Sequence, residues 1–183
     1  VKGPGADARP EARESSAQAH HDAAAKAVPV GVITVSDSRT LETDSGGALI
    51  AELLAANGHS VASREIVLDE PAAIQAALRA ALARPGIGAV ILTGGTGIAP
   101  RDVTPESVEP ALERIIPGFG ELFRMLSFEQ IGAAALLSRA LAGLACGRVV
   151  FVLPGSRGAV RLAMERLILP ELGHLAAEAV KRR

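Results

Sequence analysis

The feature that most restricts the fold is a recurring order. A short run of branched apolar residues stops in a Gly-bearing polar loop, and helix-type sequence follows. The fullest case runs from Gly88 to Glu106. Its apolar part, Ala89-Val90-Ile91-Leu92, has no polar alternation, so it reads as a strand buried on both faces. The loop after it holds Thr93, Gly94, Gly95, Thr96 and Gly97, then Arg101-Asp102 and Thr104-Pro105-Glu106. Thr104 is expected to cap a helix, Pro105 suits its first turn, and Glu106 suits the positive helix end. A strand, a bare-backbone loop and a helix start, in that order, let chain amides meet an anion.

The same order appears twice more. Val30 to Val35 is a second apolar run, ending in Ser36-Asp37-Ser38-Arg39. Asp44-Ser45-Gly46 then leads into a helix carrying Leu49, Ile50, Leu53 and Leu54 on one face, with Asn57-Gly58 as its stop. A strand from Ser60 to Leu68 follows, then Asp69-Glu70-Pro71 and a helix with Ile74, Leu78 and Leu82 at four-residue spacing. Near the end, Arg148 to Leu153 is another buried strand, closed by Pro154-Gly155-Ser156-Arg157-Gly158 before a helix. Strand–helix–strand–helix–strand with short connections predicts an α/β fold, a mostly parallel sheet with helices on both faces. Right-handed crossovers then place loops 36–46, 69–71 and 93–105 on one edge, where such sheets bind ligands. Between these parts, 107–116 and 118–131 read as helices, and 133–145 is ambiguous by periodicity. Pro170 is expected to divide the last two helices.

Residues 1–28 hold scarcely any large apolar side chain and read as a disordered tail. His20-His21-Asp22 there lacks the ligand count and geometry of a metal site. With no apolar core for a signal peptide and too many acids for a transit peptide, the expected location is cytoplasmic. The ordered domain is expected over 29–183. A formal charge of −1 and only four Phe among aromatic residues argue against a nucleic-acid partner. The basic end Lys181-Arg182-Arg183 is short enough to be a solvated tail. No apolar run reaches the ~18 residues of a membrane span. The single Cys146 excludes an intramolecular disulfide and multi-cysteine metal sites, and its apolar neighbourhood predicts a buried, inert thiol.

The Gly-rich loop is not a Walker loop, because no Lys lies in it, and Pro100 spoils a dinucleotide fingerprint. Ser156 lacks the Gly-x-Ser-x-Gly frame, since position 154 is Pro. His59 and His174 are expected at the surface without an evident carboxylate or Ser partner. Asp69 and Asp102 each have a plain structural reading, at a helix start or paired with Arg101. Together, beside two anion cradles, they are also what a Mg²⁺ ion between polyphosphate oxygens would need. Phosphoryl or nucleotidyl transfer to an ionised phosphate suits a site with no side-chain nucleophile.

These residues resemble a known family. Thr93-Gly94-Gly95-Thr96-Gly97 with Pro100 to Glu106, Pro117-Gly118-Phe119-Gly120-Glu121, Leu137-Ser138-Arg139 and Leu153-Pro154-Gly155-Ser156 look like the MogA/MoaB proteins of molybdenum cofactor biosynthesis. Phe123 to Gly132 is most similar to the MoaB branch, and the likeness spans about 29–175. The resemblance implies a three-layer αβα fold with one antiparallel strand, so that 139–145 pairs with 148–153. It implies a single molybdopterin-binding domain that adenylylates molybdopterin with Mg²⁺ and ATP, releasing pyrophosphate. The family's two essential acids match Asp69 and Asp102, as catalytic and metal-holding residues. Thr93 to Gly97 and Pro154, Gly155 and Ser156 would hold the pterin and its phosphate. Ser36, Asp37, Arg39, Ser138 and Arg139 would contact nucleotide or pterin. A homotrimer or homohexamer, and transient contact with other cofactor-biosynthesis proteins, are also implied. Two further readings stand beside this one: a pterin carrier without chemistry, and a nucleotide pyrophosphatase or deamidase like the competence-damage family. Against the latter stand the Arg101-to-Glu106 run and the want of a second domain.

Overall fold

The computed structural model describes residues 27–181. Its elements, in order, are β1 (Pro29–Val35), α1 (Ser45–Ala56), β2 (Ser60–Val67), α2 (Pro71–Ala83), β3 (Ala89–Thr93), α3 (Thr104–Val108) and a 3-10 turn (Glu109–Ala111). Then come β4 (Arg114–Ile115), α4 (Pro117–Ile131), a 3-10 stretch (Gly132–Leu137), β5 (Leu141–Ala145) and β6 (Arg148–Leu153). The described chain closes with α5 (Arg157–Ala163), a π-helical stretch (Met164–Ile168) and α6 (Leu169–Ala179). The strands form one sheet in the order β2-β1-β3-β6-β5-β4. β1 pairs in parallel with β2 and β3, and β3 with β6. Only β5 runs the other way, antiparallel to both β6 and β4.

The two-faced burial of β3 explains the layers. Ala89 and Ile91 join one core with Val30, Leu49, Phe123, Phe151 and Val160. Val90 and Leu92 join the other with Ile33, Ile74, Leu78 and Val152. Every residue of β3 is buried. Helices α1, α4, α5 and α6 cover the first face, and α2 with α3 covers the second. The strand pairing aligns Thr34, Thr93 and Leu153 in one row. The loops after β1, β2 and β3 therefore leave the same edge, as expected, and the parallel pairing of β6 with β3 adds the loop after β6 to it. Because β2 lies on one side of β1 and β3 on the other, the chain reverses its direction of winding between β1 and β3. That switch point opens a crevice at the strand ends.

Several local expectations change. Residues 107–116 are not one helix: α3 stops at Val108, and Arg114–Ile115 forms a short edge strand. The cap position of α3 is Val103 with no side-chain cap bond, so Thr104 does not cap it. Pro170 stands in the first turn of α6, where a missing amide is tolerated, and the π-helical stretch Met164–Ile168 joins α5 to α6 with no loop between them. Cys146 is exposed. It turns the β5–β6 hairpin with φ +51° beside Gly147 at φ +69°, the two positive angles that a tight hairpin favours. His59 is half-buried and accepts the Val28 amide at 3.2 Å, and burial pushes its pKa down. His174 does face carboxylates, at Glu171 and Glu178. Val28 is already buried, at the end of the stretch expected to be disordered. Residues 1–26, with His20 to Asp22, and Arg182-Arg183 lie outside the described residues. No helix among the described residues is long and apolar enough to cross a membrane.

The base of the crevice rests on Asp44. It is buried, accepts the Gly47 amide at 2.9 Å as the cap of α1, and takes bonds from Thr34 Oγ1 and Arg64 at 2.9 Å each. Burial alone would raise its pKa. The Gly47 amide, Arg64 and Thr34 outweigh that and hold it below the ordinary value. Its stabilisation is therefore full above about pH 4 and is lost as pH falls through the lowered folded value. Asp44→Ala leaves Arg64, Thr34 and the helix end unpaired. We expect it to cost about 2–3 kcal/mol in urea unfolding at neutral pH, with the difference shrinking toward pH 3.

Candidate functional site

The edge is built from bare backbone. β3 is followed at once by Gly94 at φ +105° and Gly95 at φ +61°. The Gly94 amide donates to the Leu153 carbonyl at 3.1 Å, and Thr93 Oγ1 donates to the Pro154 carbonyl at 3.0 Å. A β-carbon on Gly94 would lie 2.2 Å from the Val35 carbonyl oxygen. Loops from β1, β3 and β6 are thus drawn against one another without side chains between them.

Two clefts flank this seam and share Gly94 and Gly155 as their wall. The smaller, about 190 Å³, sits at the β1/β3 switch point and is lined by Thr34, Ser36, Arg39, Ser45, Gly46 and Thr93 among others. The larger, about 340 Å³, lies toward β6. It combines Thr96, Gly97, Asp102, Ser138 and Ser156 with Phe123, Ile131 and Leu137. One cleft is polar and compact. The other mixes apolar side chains with a few polar groups, the general make-up of a small-molecule site.

The acids meet on the β2 side of the same edge. The Asp69 amide donates to Asp37 Oδ1 at 3.0 Å, and Asp37 is ion-paired with Arg101. Burial pushes the Asp69 carboxyl above its ordinary pKa. The Val103 amide pulls it down in part, and the nearby charge of Asp102 pushes it up. Asp69 Oδ1 and Thr104 Oγ1 are buried without a hydrogen-bond partner. Asp102 Oδ2 accepts the Ala99 amide at 3.1 Å and lies over Gly97, where a β-carbon would come within 2.6 Å of it. Two carboxylates near enough for one charge to act on the other, one with an unpaired buried oxygen, suit a hard cation. Among the described residues no group of three or more His, Cys, Asp or Glu could hold a metal. A Mg²⁺ ion here would take its other ligands from substrate oxygens and water, as it commonly does.

Of the residues singled out from sequence, Thr93, Gly94, Gly95, Thr96, Gly97, Pro154, Gly155, Ser156, Ser36, Arg39, Ser138 and Asp102 line one or both clefts. Asp37 and Asp69 stand beside the clefts and line neither. Arg139 lines neither as well. Its guanidinium binds the Thr96 carbonyl at 3.3 Å, the Asp102 carbonyl at 2.6 Å and the Glu106 carboxylate, so it clamps the Gly-rich loop. Ser156 Oγ accepts the Ala159 amide and caps α5. Ser36 Oγ accepts the amides of Ser38 and Arg39 and shapes the first loop. Asp44 and Ser127 had not been singled out. An acid before Ser-Gly-Gly at a helix start was a usable signal for Asp44, whereas Ser127 within α4 carried none.

The family described as "Probable molybdopterin binding domain" matches residues 31–174. Molybdenum cofactor biosynthesis protein B of Halalkalibacterium halodurans is 53% identical over 169 residues, covering 92% of this chain and 99% of that protein. A crystal structure of a molybdenum cofactor biosynthesis protein B superposes with a TM-score of 0.84 at 51% identity, covering 86% of this chain and 98% of that one. The tungsten cofactor synthesizing protein MoaB from Pyrococcus furiosus gives 0.77 at 38% identity, covering 85% and 99%. With this fold, this edge and this extent of likeness, the chain belongs to the MoaB/MogA family of molybdenum cofactor biosynthesis proteins.

Proposed function

We propose that the protein is a molybdopterin adenylyltransferase, joining ATP and molybdopterin to give adenylyl-molybdopterin and pyrophosphate. The observation that carries this reading is the placing of Asp69 and Asp102 within electrostatic reach of each other, beside two clefts that share one backbone wall. Two substrates that must react phosphate to phosphate need adjoining pockets and a site for the charge between them.

In this reading an oxygen of the molybdopterin phosphate attacks the α-phosphorus of ATP. The bond from that phosphorus to the bridging oxygen breaks, and pyrophosphate leaves with the electron pair. The attacking oxygen is already ionised, so no residue need remove a proton. Asp69 and Asp102 would hold Mg²⁺, which supplies charge neutralisation on the polyphosphate. The Gly94-to-Gly97 segment and the Pro154-to-Ser156 loop would hold the pterin and its phosphate. Ser36, Asp37, Arg39 and Ser138 would bind from the rim. Arg139 would keep the Thr96-to-Glu106 loop in shape, and positioning of this kind supplies much of the rate.

We also infer self-association as a homotrimer or homohexamer. Helix α4 turns Phe119, Phe123 and Leu126 to the core, yet Leu122, Met125 and Phe128 on its other side are 47–61% exposed. A helix apolar on both sides wants a second cover.

The carrier reading differs in one outcome. Protein given Mg²⁺, ATP and molybdopterin is expected to release pyrophosphate in proportion to pterin consumed. Full pterin binding with no pyrophosphate would establish the carrier instead.

A further inference from the structure

Two buried oxygens without partners face each other across Gly95. A β-carbon on Gly95 would lie 2.3 Å from Thr104 Oγ1 and 2.7 Å from Asp69 Oδ1. One is a donor with no acceptor, the other an acceptor with no donor. The only other buried side-chain atoms so unpaired among the described residues are Nε of Arg64 and of Arg148, on β2 and β6. Folded chains seldom leave such groups unmatched, and here a complementary pair sits at one spot.

Thr104 has little freedom. It is fully buried, and its amide bonds the Gly95 carbonyl at 3.0 Å. Asp69 sits on the loop between β2 and α2, and its Oδ1 has no hydrogen-bond partner, so the carboxylate is the part that can turn. We propose that Thr104 is a positioning residue for Asp69: its hydroxyl donates to Oδ1 when a divalent cation binds, leaving Oδ2 to face the cation. The inference rests on the reading of Asp69 as a cation-holding carboxylate. It adds a coupling between the two acids. Asp102, Val103 and Thr104 are consecutive, so the segment that presents one acid also orients the other through a backbone amide and a hydroxyl. It also gives Gly95 a role, because any side chain there would fill the space through which the bond forms.

The test is titration of the whole protein with Mn²⁺, following free ion by electron paramagnetic resonance, for wild type, Thr104→Ser, Thr104→Val and Asp69→Asn. Thr104→Ser keeps the donor and is expected to bind within about twofold of wild type. Thr104→Val is expected to weaken binding at least about tenfold, the worth of one hydrogen bond to a charged group. Its thermal midpoint should not fall, since valine fills the same volume without an unpaired hydroxyl. Wild-type Mn²⁺ affinity in Thr104→Val would overturn the proposal. Equal weakening in the Ser and Val variants with lowered midpoints would also overturn it, as a packing effect. Unchanged binding in Asp69→Asn would instead remove the cation assignment on which the proposal rests.

Discussion

Asp102→Asn is expected to slow pyrophosphate release at least about a hundredfold while the pterin still binds, and Asp69→Asn to do the same. The substitution is nearly isosteric, so the loop should survive. In the first variant the side-chain amide oxygen can still accept the Ala99 amide that Asp102 Oδ2 accepts at 3.1 Å. In the second it can likewise still take the Val103 amide that holds Asp69. What disappears is negative charge beside the polyphosphate. Asp102 is the one acid lining the larger cleft, and the backbone, hydroxyl and apolar groups that make up the rest of that lining are untouched. Pyrophosphate release and equilibrium pterin binding should therefore separate in both variants. Unchanged turnover in both would remove the acids from the chemistry.

Gly94→Ala is expected to cost at least about 4 kcal/mol in urea unfolding and to leave little soluble protein. The methyl would meet a backbone oxygen at 2.2 Å, which no rotamer change can relieve, and φ is +105°. Relief would require β1 and β3 to part at their ends, where Thr34 and Thr93 are paired. Gly158→Ala is the control. Nothing lies within 4 Å of its β-carbon and it sits inside α5, so the change should be neutral or stabilise by up to ~1 kcal/mol. A small loss at Gly94 would mean the seam between the two clefts is softer than the backbone contact implies.

The edge was legible because its signals are local and its assembly follows from handedness. The apolar runs at 30–35 and 89–92 read as buried on both faces, and right-handed crossovers then bring Ser36, Asp69 and Gly94 to one side, while the place of Pro154 there follows from the parallel pairing of β6 with β3. What stayed hidden has physical reasons. Residues 141–145 are small and apolar, with no period that separates strand from helix, and only the family resemblance pointed to a strand. Arg114–Ile115 is two residues long, below what any pattern can mark. Cys146 sits among apolar neighbours, which masked a turn set by backbone angles. Arg139 was assigned to a ligand because a cation near a phosphate cradle suggests one. Its three bonds to the 96–106 segment depend on long-range packing that the sequence does not display. The orphaned hydroxyl of Thr104 was invisible for the same reason, since Thr104 looked like an ordinary helix cap.

The central claim is that the acids serve chemistry and not binding alone. The direct measurement is label transfer from ATP carrying radioactive phosphorus at the α-position, with molybdopterin and Mg²⁺, after separation of the pterin products. The account predicts label on the pterin, one equivalent for each pyrophosphate released, and its loss in Asp102→Asn. A pterin that stays bound and unlabelled through many binding lifetimes would contradict it.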